Sequence, residues 1–249
     1  MHSVTRSPEP AFFKELRAIH DRWDELDGGH RRQIRDALWR DFAEVCAYCE
    51  QHCDPVTTNE VPNGETIDHF RPGDRFPDLA LDWLNLVYAC HRCNQSKANK
   101  WPGYDDEQTD QRLRIMEARH IPPSEYVNPN AKAGRRPAHE FFNFDLKTGE
   151  ILPAEAVSDS EWSSARRTIH DIDLNDSEIG ENDPRHLCRQ RKYQLYLLIE
   201  GVESLDKDDA KVHLMSEFTK ADKPFSTFIR AYLLKSFPQF REILFPVDA

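Results

Sequence analysis

The chain has 249 residues and a formal net charge of −11, with 33 Lys and Arg against 44 Asp and Glu. At 39% hydrophobic residues it has the make-up of a globular protein with a core to bury, and no stretch approaches the roughly 18 apolar residues of a membrane span. The acidic balance argues against unaided binding to a polyanion, because phosphate contacts draw on clustered Lys and Arg. At the N-terminus, MHSVTRSPEP lacks the apolar run of a secretory signal. That predicts a cytoplasmic protein whose thiols stay reduced and meet on metal rather than in disulfides. EPAFFKELRAIHDRW carries Phe13, Leu16 and Ile19 at helical spacing, with Gly28-Gly29 read as the break. HRRQIRDALWRDF resumes the helix through Ile34, Leu38 and Phe42 and delivers the chain into CAYC at Cys46.

After the first cysteines the pattern turns irregular, with Pro72, Gly73 and Pro77 enforcing turns, and ETIDHF and NLVYAC stand out as short strands. A helix begins near His91 and fades by Trp101; Trp83 and Trp101 are expected in the core. EFFNFDLKTGEILP reads as a β-hairpin with Lys147-Thr148-Gly149 near its turn. Beyond Glu161 the chain is mostly helical: LCRQRKYQLYLLIEGV, DAKVHLMSEF and FSTFIRAYLLKSF all carry helix-spaced apolar residues. The fold class is therefore α+β. The tail beyond Arg185 holds more apolar residues than a small shell needs, which marks Tyr196, Phe228, Tyr232 and Phe240 as candidates to face a partner, against core packing as the ordinary alternative.

The chemistry concentrates between two knuckles. Cys46-Ala-Tyr-Cys49 and Cys90-His-Arg-Cys93 are separated by 40 residues, and two C-x-x-C turns together can close a tetrahedral site on one Zn²⁺. Such a site has no open position, so its role is structural. Cys53 or His52 could replace Cys49 as a ligand; the matched spacing favours Cys46 and Cys49. Between the knuckles lie Asp68-His69 and Asn85, and Asn94 follows Cys93 directly. A carboxylate, an imidazole and side-chain amides suit metal-assisted phosphodiester hydrolysis: oxygen ligands for Mg²⁺ or Mn²⁺, and a base near neutral pH. Lys97 is positioned either to reach a phosphate or simply to be solvated.

The order knuckle, Asp-His, Asn, knuckle-Asn-x-x-Lys resembles the HNH nucleases, a ββα-metal fold, in its zinc-bound variant. The resemblance covers about residues 46 to 101. It implies that Asp68 and Asn94 bind the catalytic metal, that His69 is the general base, and that Asn85 fixes the loop that aims His69. Asparagine stands where the family name expects its last histidine, which keeps an oxygen ligand. RSPEPAFFKELR, CAYCE, the DHFRP box, FDLKTGEILP and TIHDIDLN extend the resemblance to the HNH subunits of Septu-type antiphage systems and to retron-associated effectors. That resemblance implies a companion ATPase of the ABC/SMC-like class (PtuA-like) and nucleic acid as substrate. A local basic surface of Arg71, Arg75, Arg92, Lys97 and Lys100 is the other way to offset the acidic charge. The expected organisation is an N-terminal helical segment over 1–44, an HNH core over 45–105, and a mostly helical region with a hairpin over 106–249. The competing reading is a non-catalytic zinc-knuckle module that binds nucleic acid or protein; it accounts for the cysteines and leaves Asp68, His69 and Asn94 without a task.

Overall fold

The computed structural model describes residues 6–53, 64–101, 138–177, 179–180, 182–183 and 185–244. Helix α1 (Ala11–Ile19) buries Phe13 and Leu16, but Ile19 is 73% exposed, so the apolar stripe is one residue shorter than its spacing implied. The helix stops at His20, before the glycines. Residues 20–27 make the turn instead, through a 3-10 segment at Trp23–Glu25 in which the Glu25 carboxylate accepts from the backbone N–H groups of Asp21 and Arg22. Gly28 and Gly29 are not the break but the first turn of α2 (Gly28–Asp41), capped by Asp27, which accepts from His30 N at 2.8 Å. The difference matters below, because the turn carries Trp23 to the site.

Strands β1 (Glu65–His69) and β2 (Leu86–Cys90) pair antiparallel, with Asp68 opposite Val87 and Thr66 opposite Ala89. Helix α3 (His91–Lys97) follows β2 without a gap and packs on both strands, completing a ββα unit. All five residues of β2 are buried: α2 and α3 both pack on the strand, and the first knuckle hydrogen-bonds to it through Ala47 N and Tyr88 O. Trp83 and Trp101 lie in the core as expected.

The second hairpin is present: β3 (Phe142–Phe144) pairs with β4 (Ile151–Pro153), Phe142 opposite Pro153. Gly149 in its turn adopts φ +79°, and a Cβ there would lie 2.3 Å from the carbonyl oxygen of Cys188; both the backbone conformation and the close approach require glycine. Helix α4 (Asp159–Asp171) starts with a Ser158–Glu161 capping box and packs on β4. Helices α5 (Leu187–Glu203), α6 (Asp208–Phe218) and α7 (Ser226–Ser236) pack on one another, and the short α8 (Arg241–Leu244) lies against α6.

One hydrophobic cluster runs from Phe13 and Leu38 through Trp83 and Tyr88 to Leu198, Phe228 and Leu233. The tail therefore shares the core of the ββα unit. Of the residues weighed between a partner surface and core packing, Phe228 is buried and Tyr232 and Phe240 pack against the core, whereas Tyr196 is exposed. Among the described residues no helix is long and apolar enough to cross a membrane.

Candidate active site

The first knuckle is a tight loop: Cys46 N donates to Gln51 O, Glu50 N to Cys46 O, and Ala47 N docks the loop on β2 through Tyr88 O, all at 2.9–3.0 Å. The second knuckle straddles the junction of β2 and α3, with Cys90 ending the strand and Cys93 in the first helical turn. The sulfurs of Cys46, Cys49, Cys90 and Cys93 are buried and lie within 4.8 Å of one another, Cys49 and Cys90 at 3.9 Å. Four sulfurs held at about 2.3 Å around one tetrahedral zinc would be about 3.8 Å apart, so the cluster has the size of such a site. Neither Cys53 nor His52 belongs to the set.

The electrostatics of the cluster also call for a cation. Burial opposes ionisation of Cys46, but hydrogen bonds from Cys49, Cys53, Cys90 and Cys93 outweigh it and push this thiol well below its ordinary range. Cys90 and Cys93, hydrogen-bonded to Cys46, are pushed well up. A thiolate at Cys46 suppresses ionisation of Cys90 and Cys93, and a bound positive charge would relieve that suppression.

Six further side chains gather on and around β1. Asp68 is buried, and each of its carboxylate oxygens receives one donor: Lys97 Nζ on Oδ1 at 3.0 Å and Tyr48 Oη on Oδ2 at 2.5 Å. Burial pushes the Asp68 carboxyl up, and Lys97 and Tyr48 pull it back. Lys97 itself is 0% exposed and also donates to His69 O at 2.7 Å. It neither reaches outward toward a phosphate nor lies in solvent; the last turn of α3 points it under β1.

His69 is half-buried, with Nε2 at 3.0 Å from Ala80 O and the edge of its ring against Trp23, centroids 5.0 Å apart. A carbonyl can only accept, so Nε2 carries the proton in the neutral ring and Nδ1 carries the lone pair. Burial pushes the imidazole below its ordinary value, which keeps it neutral at neutral pH. Asn85 is buried and binds the loop beyond β1 with its side chain: Oδ1 accepts from Arg71 N at 2.8 Å, and Nδ2 donates to Arg71 O and Leu79 O at 3.1 and 3.0 Å. Asn94 donates through Nδ2 to Thr66 Oγ1 and Ile67 O at 3.1 and 3.3 Å, which leaves its Oδ1 as a free acceptor among the described residues.

Asp68, His69 and Asn94 line one cleft of about 760 Å³, together with Arg22, Trp23, Asp24, Asp74 and Asn99. Arg22 is paired with Asp24 at 2.7 Å and Asn99 donates to Asp74 at 2.6 Å, so the lining is acidic on balance. The donor set fits a hard divalent cation: a carboxylate with two of its roughly four lone-pair positions still open and an amide oxygen with both. Asn85 faces the loop and not the cleft. The parts that the sequence did not announce are Trp23, Tyr48 and the carbonyl of Ala80. Tyr48 stood in plain view inside CAYC, but nothing in a knuckle's spacing says where its middle residues point.

The family model for HNH endonucleases matches residues 46–100. Residues 46–100 are an HNH endonuclease domain. The chain is 38% identical over 64 residues to the Septu protein PtuB of Bacillus thuringiensis, covering 26% of this chain and 23% of that one. It is 30% identical over 132 residues to the Septu protein PtuB of Bacillus mycoides, covering 41% and 43%. Over 210 residues it is 22% identical to an Escherichia coli protein named as an HNH endonuclease of retron Ec83, covering 72% and 76%. The chain thus spans less than half the length of the two PtuB proteins it matches.

Proposed function

We propose that the chain is a metal-dependent endonuclease that hydrolyses phosphodiester bonds of nucleic acid, DNA in the first instance, as the nuclease subunit of an antiphage defence complex. One observation carries the catalytic part: an acidic cleft in the HNH domain into which Asp68, His69 and Asn94 open together. In this reading His69 takes a proton from the attacking water at Nδ1 while Nε2 stays bonded to Ala80 O. Asn85, by tying Arg71 to Leu79, keeps the loop that supplies that carbonyl in register. Asp68 and Asn94 would hold a Mg²⁺ or Mn²⁺ ion, which when bound supplies positive charge against the phosphoryl oxygens and the departing 3′-oxygen. Cys46, Cys49, Cys90 and Cys93 would hold a structural Zn²⁺. The products would carry 5′-phosphate and 3′-hydroxyl ends.

The defence context is supported by relatives named for the Septu and retron systems, and a partner is supported by charge. Near the motif Lys97 is buried against Asp68, and Arg92 bonds Asp176, Arg185 O and Gln51. With a net charge of −11, that leaves a weak electrostatic footprint for a polyanion. We therefore assign the delivery or orientation of nucleic acid to an ABC/SMC-like ATPase (PtuA-like), working with this chain in the cytoplasm.

Supercoiled plasmid incubated with Mn²⁺ and the purified chain, alone and with a candidate ABC/SMC-like ATPase, tests the reading. The expected result is nicked or linear DNA with 3′-hydroxyl ends that requires both metal and this chain. Intact plasmid under every condition, from a chain that holds zinc tightly, would make it a zinc-knuckle binding module instead.

A further inference from the structure

Two buried polar side chains have no task in the hydrolytic scheme, and both end on the same carboxylate. Tyr48 is fully buried, and its hydroxyl has Asp68 Oδ2 as partner. Lys97 is fully buried, and its ammonium meets Asp68 Oδ1 and the carbonyl of His69. Burying a hydroxyl and an ammonium costs free energy that apolar residues of the same size would not cost. Each comes from a different knuckle. Tyr48 sits between Cys46 and Cys49, its backbone N–H on Cys46 Sγ at 3.4 Å; Lys97 sits four residues beyond Cys93, on the helix whose first turn carries that cysteine.

We propose that Tyr48 is a positioning residue for the catalytic metal site, clamping Asp68 together with Lys97, so that the four-cysteine site sets the orientation of the Asp68 carboxylate. This rests on the reading of Asp68 as a metal ligand. With Oδ1 tied to the second knuckle's helix and Oδ2 to the first knuckle, the carboxylate plane cannot rotate about its Cβ–Cγ bond. Its remaining lone pairs then keep a fixed direction relative to Asn94, which α3 also carries. Donors of this kind behind a ligating carboxylate are worth about 10–100-fold in metal affinity. Lys97 additionally holds the carbonyl of His69, in the peptide that joins His69 to Phe70, so one ammonium ties the ligand's carboxylate to the backbone of the base.

Tyr48→Phe removes one oxygen and keeps the ring that fills the site, so it separates positioning from folding. In the full-length zinc-loaded chain, Mn²⁺ binding is read directly from the electron paramagnetic resonance of free Mn²⁺, without nucleic acid. The same measurement is made on wild type, Asp68→Ala and the Asp68→Ala, Tyr48→Phe double variant, with zinc content and melting temperature alongside. Tyr48→Phe is expected to keep its zinc and melt within a few degrees of wild type while binding Mn²⁺ about 10–100-fold more weakly. The double variant is expected to bind no more weakly than Asp68→Ala alone, because Tyr48 acts only through Asp68. Wild-type Mn²⁺ affinity in Tyr48→Phe, with the affinity lost in Asp68→Ala, overturns the clamp and leaves the metal reading intact. Wild-type affinity in Asp68→Ala itself overturns both.

Discussion

Lys97 shows how much one side chain can change between spacing and structure. Its place one turn beyond Asn94 fits an outward, phosphate-facing lysine, yet it is 0% exposed and paired with Asp68. Breaking a buried pair by removing one partner leaves the other uncompensated, at a cost of about 3–5 kcal/mol. Lys97→Met should therefore lower unfolding free energy by that amount in urea, although methionine fills nearly the same volume. A loss under about 1 kcal/mol would mean that the pair behaves as a solvent-screened one. Asn85 makes a parallel case at the neighbouring loop. Asn85→Ala removes three part-buried hydrogen bonds, to Arg71 N, Arg71 O and Leu79 O, each contributing about 0.5–1.5 kcal/mol. The expected signature is a lower melting temperature together with a slower cleavage rate, since the same loop delivers Ala80 O to His69; a drop in rate with an unchanged melt would move Asn85 from the loop into the chemistry.

At the scale of elements, the two strands, the helix after His91 and the hairpin are legible because each is a local pattern: alternating or continuous apolar residues bounded by turn formers. The cysteine knuckles are legible for the same reason. What cannot be read locally is where a turn points. The stripe Phe13, Leu16, Ile19 extends the first helix toward the glycines, but the Glu25 carboxylate competes for the backbone N–H groups of residues 21 and 22 and ends it early. That early end puts Trp23 against His69, some 46 positions away in sequence. Glu50 is a second case. It follows the first knuckle at φ +62°, outside the preferred region for a residue with a Cβ. Its carbonyl accepts from Phe225 N and its buried carboxylate from Thr227 N and Oγ1, at the first turn of α7. Glu50→Ala should destabilise the chain by about 2 kcal/mol through the orphaned donors of Thr227, and hydrogen exchange should show α7 opening before β2. Unchanged protection in α7 would show that Glu50 does not hold it.

On the scale of the whole molecule, the knuckles join the HNH domain to the helical tail as well as closing a metal site. Glu50 reaches Thr227, Gln51 reaches Gln190, and Arg92 reaches Asp176, whose carboxylate also accepts from Leu187 N at the start of α5. A chain ending at residue 183 would lose Leu198, Phe228, Ile229 and Leu233 from the shared core. Such a chain is expected to be insoluble or zinc-free, so the tail's contribution to partner binding has to be probed by point substitution at exposed positions such as Tyr196; a soluble, zinc-loaded fragment would contradict this account of the core. The central claim is that the cleft hydrolyses phosphodiesters through His69, and His69→Ala tests it most directly. Metal-dependent plasmid nicking by this variant, assayed beside wild type with zinc content and melting temperature recorded for both, should fall by about 10²–10⁴-fold while the other two quantities stay nearly unchanged. A cleavage rate within a few-fold of wild type in a folded, zinc-loaded His69→Ala protein would contradict it.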